Sequence, residues 1–272
     1  MVTNRQMLTG NAAAAWAARL AEVDYVPAFP ITPQTEIIED LAGWFADGHL
    51  SGKFVTLDSE HSMLMAAGAA AATGCRVFTA TSSQGLIYGL EALWTVAGWR
   101  VPFVLVNVSR GLGAPITLEP DHNDVLATRD TGCVQIHAET CQEVLDSILM
   151  AHRIAEDPRV LLPVIVNMDG FYLSFTREPV TIPDIDRVRS FLPPYQPTHA
   201  EFRHIVDVLE SGHSETPPGE PELLYTEPEW RQMQSMMQLA RTDEHGSVRE
   251  TPGNEPSIAV RTPCEMVGAA KP

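Results

Sequence analysis

The sequence predicts an α/β fold: a mainly parallel sheet with helices on both faces, then an irregular C-terminal tail. Three observations predict it. Short β-branched and aromatic runs alternate with helical patterns along the first part of the chain. The polar segments rich in small residues follow the strands, where open parallel sheets take their ligands. Proline and acid then accumulate, with 13 of the 21 prolines at or after Pro179.

The elements are justified in order. Gly10-Asn11 reads as the cap of an Ala-rich helix over 12–22. Tyr25–Phe29 is a strand ended by Pro30, and Thr35–Phe45 a helix. Phe54–Leu57 is a strand, and Ser59 caps a helix running to Ala72 with Glu60 in its first turn. Arg76–Ala80 reads as a strand, Gly85–Ala97 as one helix, and Phe103–Val108 as a β-branched strand. Val134–Ile136 is a strand, and a helix follows from Thr140 to Ala155, where Thr140 and Glu143 fit a capping box. Val164–Asn167 closes the series. The expected division is a domain over 1–195 and a Pro-rich acidic tail over 196–272. Within the tail, Glu229–Ala240 reads as one amphipathic helix with a Met-rich face.

Composition narrows the function classes. Of the 272 residues 44% are apolar, enough for a sizeable core, and 19% are charged, which argues against a disordered chain. No apolar run approaches the ~20 residues of a membrane span, so no membrane role is expected. Met1 to Gln6 lacks the apolar stretch of a secretory signal. The net charge of −17, with no run of Lys or Arg, argues against nucleic acid as a partner. Cys75, Cys133, Cys141 and Cys264 show neither C-x-x-C nor iron–sulfur spacing, so reduced thiols in a cytoplasmic chain are expected.

Five segments following strands carry possible chemistry. In Phe29-Pro30-Ile31-Thr32-Pro33 two prolines stiffen the backbone around Thr32, although taken alone a strand stop and helix start explain them better. Glu60, in Asp58-Ser59-Glu60-His61, is either an ordinary helix-dipole partner or a carboxylate reaching a ligand. His61 reads as a local hydrogen-bonding residue. Ser82-Ser83-Gln84-Gly85 opens a helix and exposes backbone N–H groups toward an anionic or polar group. Arg110, in Ser109-Arg110-Gly111-Leu112-Gly113, offers a planar fork for a carboxylate, or is a surface arginine in a flexible loop. Asp121-His122-Asn123-Asp124 is either a charged loop or an ordered network, and nothing around it fixes a metal cage. Neither G-x-G-x-x-G nor a P-loop is present, which disfavours a nicotinamide or flavin enzyme.

Taken together, F-P-I-T-P, S-E-H, T-S-S-Q-G-L, S-R-G-L-G, D-H-N-D…R-D-T-G and L-L-P-V-I-V-N-M-D-G-F-Y-L-S resemble one family. It is the α chain of thiamine-diphosphate-dependent 2-oxoacid:ferredoxin oxidoreductases, nearest to the pyruvate enzyme. The resemblance covers residues 8–195 and implies the pyrimidine-type domain of the thiamine-diphosphate-binding fold. It implies that Glu60 is catalytic, hydrogen-bonding the aminopyrimidine ring of the cofactor. It implies Thr32 and Arg110 at the substrate carboxylate, and Ser83, Gln84 and Gly85 beside the cofactor.

The sequence holds no G-D-G followed by asparagine and no cysteine set for iron–sulfur clusters. The resemblance therefore places the diphosphate and Mg2+ on a β subunit, and iron–sulfur clusters on that or γ-type subunits. Ferredoxin, CoA and a small 2-oxoacid are the expected partners and substrates. Family α chains continue into a second domain, so the tail is expected to be truncated relative to them. That shortening motivates an alternative: a non-catalytic partner subunit retaining the fold.

Overall fold

The computed structural model describes residues 4–195. The acidic tail and the helix expected over Glu229–Ala240 lie outside the described residues. The elements are β1 (Asn4–Thr9), α1 (Gly10–Leu20), β2 (Tyr25–Ala28), α2 (Thr35–Ala46), β3 (Lys53–Thr56) and α3 (Glu60–Ala72). They continue as β4 (Phe78–Thr81), α4 (Gln84–Tyr88), α5 (Leu90–Gly98), β5 (Val104–Ser109), α6 (Asn123–Ala127) and β6 (Val134–His137). The last are α7 (Cys141–Ala155), β7 (Val164–Asp169), α8 (Tyr172–Phe175), β8 (Arg177–Ile182) and α9 (Ile185–Phe191).

β4, β5, β7 and β6 form a four-stranded parallel sheet in that order, and β2 pairs with β3 in parallel. One parallel bridge, Tyr25 with Val77, sets β2 beside β4. The ladder goes no further because Pro27 has no N–H to donate. Its carbonyl instead accepts the Thr79 hydroxyl at 2.7 Å. β1 and β8 form a separate antiparallel pair, which the sequence reading did not contain.

Period-two alternation puts helices on both faces of the sheet, as expected. Val104, Val106 and Val108 of β5 join the core formed with α1, α2 and α7, while Leu105 joins the core formed with α3 and α5. β7 repeats the pattern, with Val164, Val166 and Met168 on one side and Ile165 on the other. Fully burying each such side chain contributes roughly 1.5–3 kcal/mol. The alanines of α1 are almost all buried, and their small size suits a close-packed helix layer.

Several local expectations change. The cap of α1 is Thr9, whose hydroxyl accepts from Ala12 N–H at 3.1 Å, and Asn11 is instead buried. The single helix expected over Gly85–Ala97 is two helices meeting at Gly89. Thr140 caps α7 by accepting from Glu143 N–H, but Glu143 returns its carboxylate to Glu139 N–H, one residue earlier than a capping box requires. Arg76 precedes β4 rather than opening it. Buried, it grips Glu156 through two bonds of 2.6 and 2.7 Å and donates to the Ala21 and Pro193 carbonyls. Cys133 and Cys141 are free, as expected, whereas Cys75 is disulfide-bonded. Composition reports the usual redox state of a chain, but pairing depends on which thiols the fold brings into reach.

Candidate functional site

A parallel sheet delivers the carboxyl ends of all its strands to one edge. The loops after β2, β3, β4 and β5 therefore bring Thr32, Glu60, Ser83–Gly85 and Arg110 to the same rim. Glu60 is the first residue of α3. Ser59, in extended conformation, caps that helix by accepting from Ser62 N–H at 3.2 Å. Glu60 is only 5% exposed, yet its carboxylate has no hydrogen-bond or ionic partner among the described residues.

Two neighbours frame this carboxylate. A Cβ built on Gly85 would overlap both the Glu60 carboxylate and the Thr81 hydroxyl, so only glycine leaves room there. The Thr81 hydroxyl is itself buried and unpartnered. A nearly buried acid and a buried hydroxyl, both without a partner among the described residues, meet a glycine that leaves them open. That is a polar recess with hydrogen-bonding capacity to spare for a ligand.

Arg110 stands next to it. Its Nη2 donates to Gln84 Oε1 at 3.1 Å, and its Nε is buried without a partner. Burial lowers the guanidinium pKa, and Asp124 nearby pulls it back up. The group stays a cation with donor capacity to spare, which suits an incoming carboxylate.

The Thr32 side chain is exposed, and its loop is tied down from below. Asn11 Nδ2 donates to the Pro33 carbonyl at 2.8 Å, and Gln34 Nε2 to the Phe29 carbonyl at 2.8 Å. Gly170 lies between Pro33 and the Ser109 carbonyl, with no room for a side chain, and so packs the Thr32 loop near the residue preceding Arg110. The hydrogen bonds of the structure include none from Thr32 to Glu60 or Arg110.

Ser83 is placed differently from Gln84 and Gly85. Its φ is +46°, its N–H donates to Asp124 Oδ2 at 3.0 Å, and its hydroxyl donates to the Gly111 carbonyl at 3.0 Å. The D-H-N-D segment, read as either loop or network, is a network. Asp124 is fully buried and also accepts from Asn107, Ser109 and the Val125 N–H. Sequence reasoning did not name Asn107, Ser109 or Asn167 as part of it. The signal was present as amide and hydroxyl residues inside the apolar runs of β5 and β7.

His61 is a local pairing residue, as expected, bonded to Glu91 at 2.8 Å. His122 contacts the Asp169 carboxylate, but no group of three or more metal-ligating side chains occurs among the described residues. The Cys141 thiol is pushed up to about 12 by burial and by Glu178, which makes it a poor nucleophile. No helix among the described residues is long and apolar enough to cross a membrane.

Residues 16–245 match the family model described as pyruvate flavodoxin/ferredoxin oxidoreductase, thiamine-diphosphate-binding. The chain belongs to this family. Among its curated relatives, the pyruvate synthase subunit PorA of Methanocaldococcus jannaschii is 51% identical over 195 residues, covering 72% of this chain and 50% of the relative. The ketoisovalerate oxidoreductase subunit VorA of Pyrococcus horikoshii is 45% identical over 195 residues, covering 72% of this chain and 49% of the relative. The chain thus spans about half the length of the curated relatives it matches. A solved 2-oxoglutarate:ferredoxin oxidoreductase from Magnetococcus marinus shares the fold with a TM-score of 0.62 at 23% identity, covering 68% of this chain and 32% of that one. The family model is thiamine-diphosphate-binding, and the open Glu60 carboxylate and Thr81 hydroxyl are groups of a kind that suits a ring with hydrogen-bonding nitrogens.

Proposed function

We propose that this chain supplies the pyrimidine-binding half of the active site of a 2-oxoacid:ferredoxin oxidoreductase, acting on pyruvate. The observation that carries the reading is Glu60, 5% exposed with its carboxylate unpartnered among the described residues, on the same sheet edge as the Gln84–Arg110 pair. Bound thiamine diphosphate supplies the electron sink that lets a 2-oxoacid lose CO2.

The chain's own residues do the rest. Glu60 would hold the aminopyrimidine by a hydrogen bond to a ring nitrogen, its carboxyl group being able to carry a proton at that point. Gly85 admits the ring to that carboxylate, and Gln84 lines its edge. Arg110 pairs with the substrate carboxylate, a charged hydrogen bond worth about 1.5–3 kcal/mol. Thr32 stands at the substrate carboxylate and ketone. Ser83 shapes the cofactor loop from within, since its N–H, carbonyl and hydroxyl are already engaged inside the chain.

In this reading a β subunit holds the diphosphate with Mg2+. Iron–sulfur clusters on that or γ-type subunits would supply the one-electron path to ferredoxin, and CoA would be the acyl acceptor. The complex works in the cytoplasm. The test is to co-express the chain with its partner subunits and measure pyruvate-dependent reduction of a one-electron dye. Glu60→Gln is expected to lose at least about a hundredfold in rate. Full activity in a Glu60→Ala, Arg110→Ala double variant overturns the assignments. Calorimetric binding of thiamine diphosphate without turnover in the wild-type complex would instead make the chain a binding-only subunit.

A further inference from the structure

We propose that Asp124 is the positioning residue of the Gln84–Arg110 pair. Its carboxylate is fully buried and holds the residue immediately before each member of that pair. Oδ2 accepts the Ser83 N–H at 3.0 Å, and Oδ1 accepts the Ser109 hydroxyl at 2.5 Å. The Ser83 hydroxyl closes the frame from the other side, donating at 3.0 Å to the carbonyl of Gly111, which follows Arg110. One carboxylate therefore fixes the α4 entry and the end of β5 relative to each other. The 3.1 Å contact between Gln84 and Arg110 is what that spacing sets.

Two further features show that the anchor is specific to this place. Ser83 has a φ of +46°, a left-handed conformation that costs a non-glycine residue about 1–3 kcal/mol and persists only where its surroundings enforce it. The Asp124 bond to the N–H of that same residue is part of the enforcement. The carboxylate also receives Asn107 Nδ2 on Oδ2 at 3.0 Å and Val125 N–H on Oδ1 at 2.7 Å. Each oxygen thus faces a backbone N–H. An asparagine in either orientation would turn its NH2 onto one of them, so an amide of the same shape loses an arm of the clamp.

The catalytic consequence rests on the reading that Arg110 binds the substrate carboxylate. The reconstituted complex is assayed with the 2-oxoacid varied, for wild type, Asp124→Asn, Arg110→Ala and the double variant. Asp124→Asn is expected to raise KM for the oxoacid about ten- to a hundredfold, the scale of a misplacement near 1 Å, with a much smaller change in kcat. The double variant is expected to match Arg110→Ala alone, because the two act through one group.

An unchanged KM in Asp124→Asn, where Arg110→Ala raises it, overturns the proposal and leaves the substrate reading standing. Additive effects also overturn it. An unchanged KM in Arg110→Ala overturns the substrate reading, and the positioning role of Asp124 is then decided by structure alone. A crystal structure of the Asp124→Asn complex gives a readout independent of turnover: a broken Gln84–Arg110 contact supports the proposal, and an intact one refutes it. If Asp124→Asn does not accumulate folded, Ser109→Ala removes one arm only and carries the same comparison.

Discussion

Glu60 and its neighbours Gly85 and Thr81 carry opposite expectations for stability and for function. Gly85 lies within α4, where alanine would ordinarily be favoured over glycine by about 1 kcal/mol. Here an added Cβ meets the Glu60 carboxylate and the Thr81 hydroxyl. Gly85→Ala is therefore expected to lower thermal stability rather than raise it, and to cut dye reduction by more than about tenfold. Thr81→Val tests the other side of the recess. Replacing a buried, unpartnered hydroxyl by a methyl is neutral or mildly stabilising for a fold. If the hydroxyl serves a bound cofactor, calorimetry should show unchanged melting of the free complex and about tenfold weaker thiamine diphosphate binding. The sequence brought Glu60 and Gly85 to notice as a first-turn acid and a helix-opening glycine. It could not reveal that they touch, because they follow different strands and meet only once the sheet forms.

At the scale of elements, caps and buried ion pairs give separable predictions. Thr140→Ala removes the hydroxyl that caps α7 and should cost about 1 kcal/mol, read as a lower urea midpoint with an unchanged slope. Arg76→Ala should cost about 3–5 kcal/mol, since it leaves the Glu156 carboxylate buried without its guanidinium. Most of the strands and the longer helices were legible because their apolar periods are strong and their starts carry Ser or Thr caps. β1 and β8 were not. Their residues are half polar, β8 contains Pro179, and each is a strand only because the other pairs with it. Arg76 was read as a strand residue because its burial depends on three distant segments that no local pattern links. Asp124 was left between two meanings for the same reason: its donors sit on the α4 entry, β5 and its own helix.

For the whole molecule, acid should weaken the fold through α7. His152 is 1% exposed, and burial holds its pKa below the 6.5 of an exposed imidazole. As pH falls through that value the unfolded chain takes up a proton that the folded chain refuses, so stability declines. Burial pushes the Glu156 carboxyl up, but Arg76 and His152 pull its pKa below 4.5, so the stability it adds above that pH is lost as pH falls further. Urea midpoints between about pH 7 and pH 5 should drop for the wild type and flatten for His152→Gln. The break at Pro27 acts on the same scale. It leaves β2 tied to the start of β4 by a few bonds, Asp24 and Tyr25 N–H to the Arg76 carbonyl and the Thr79 hydroxyl to the Pro27 carbonyl, with positions 32 and 60 following one strand pair and 84 and 110 the other. Deuterium uptake along β2 should therefore outrun uptake along β5, which is laced on both edges. With so few backbone bonds between β2 and β4, the alignment of the rim's two halves rests on side-chain packing across the faces of the sheet, where both strand pairs share the same two cores.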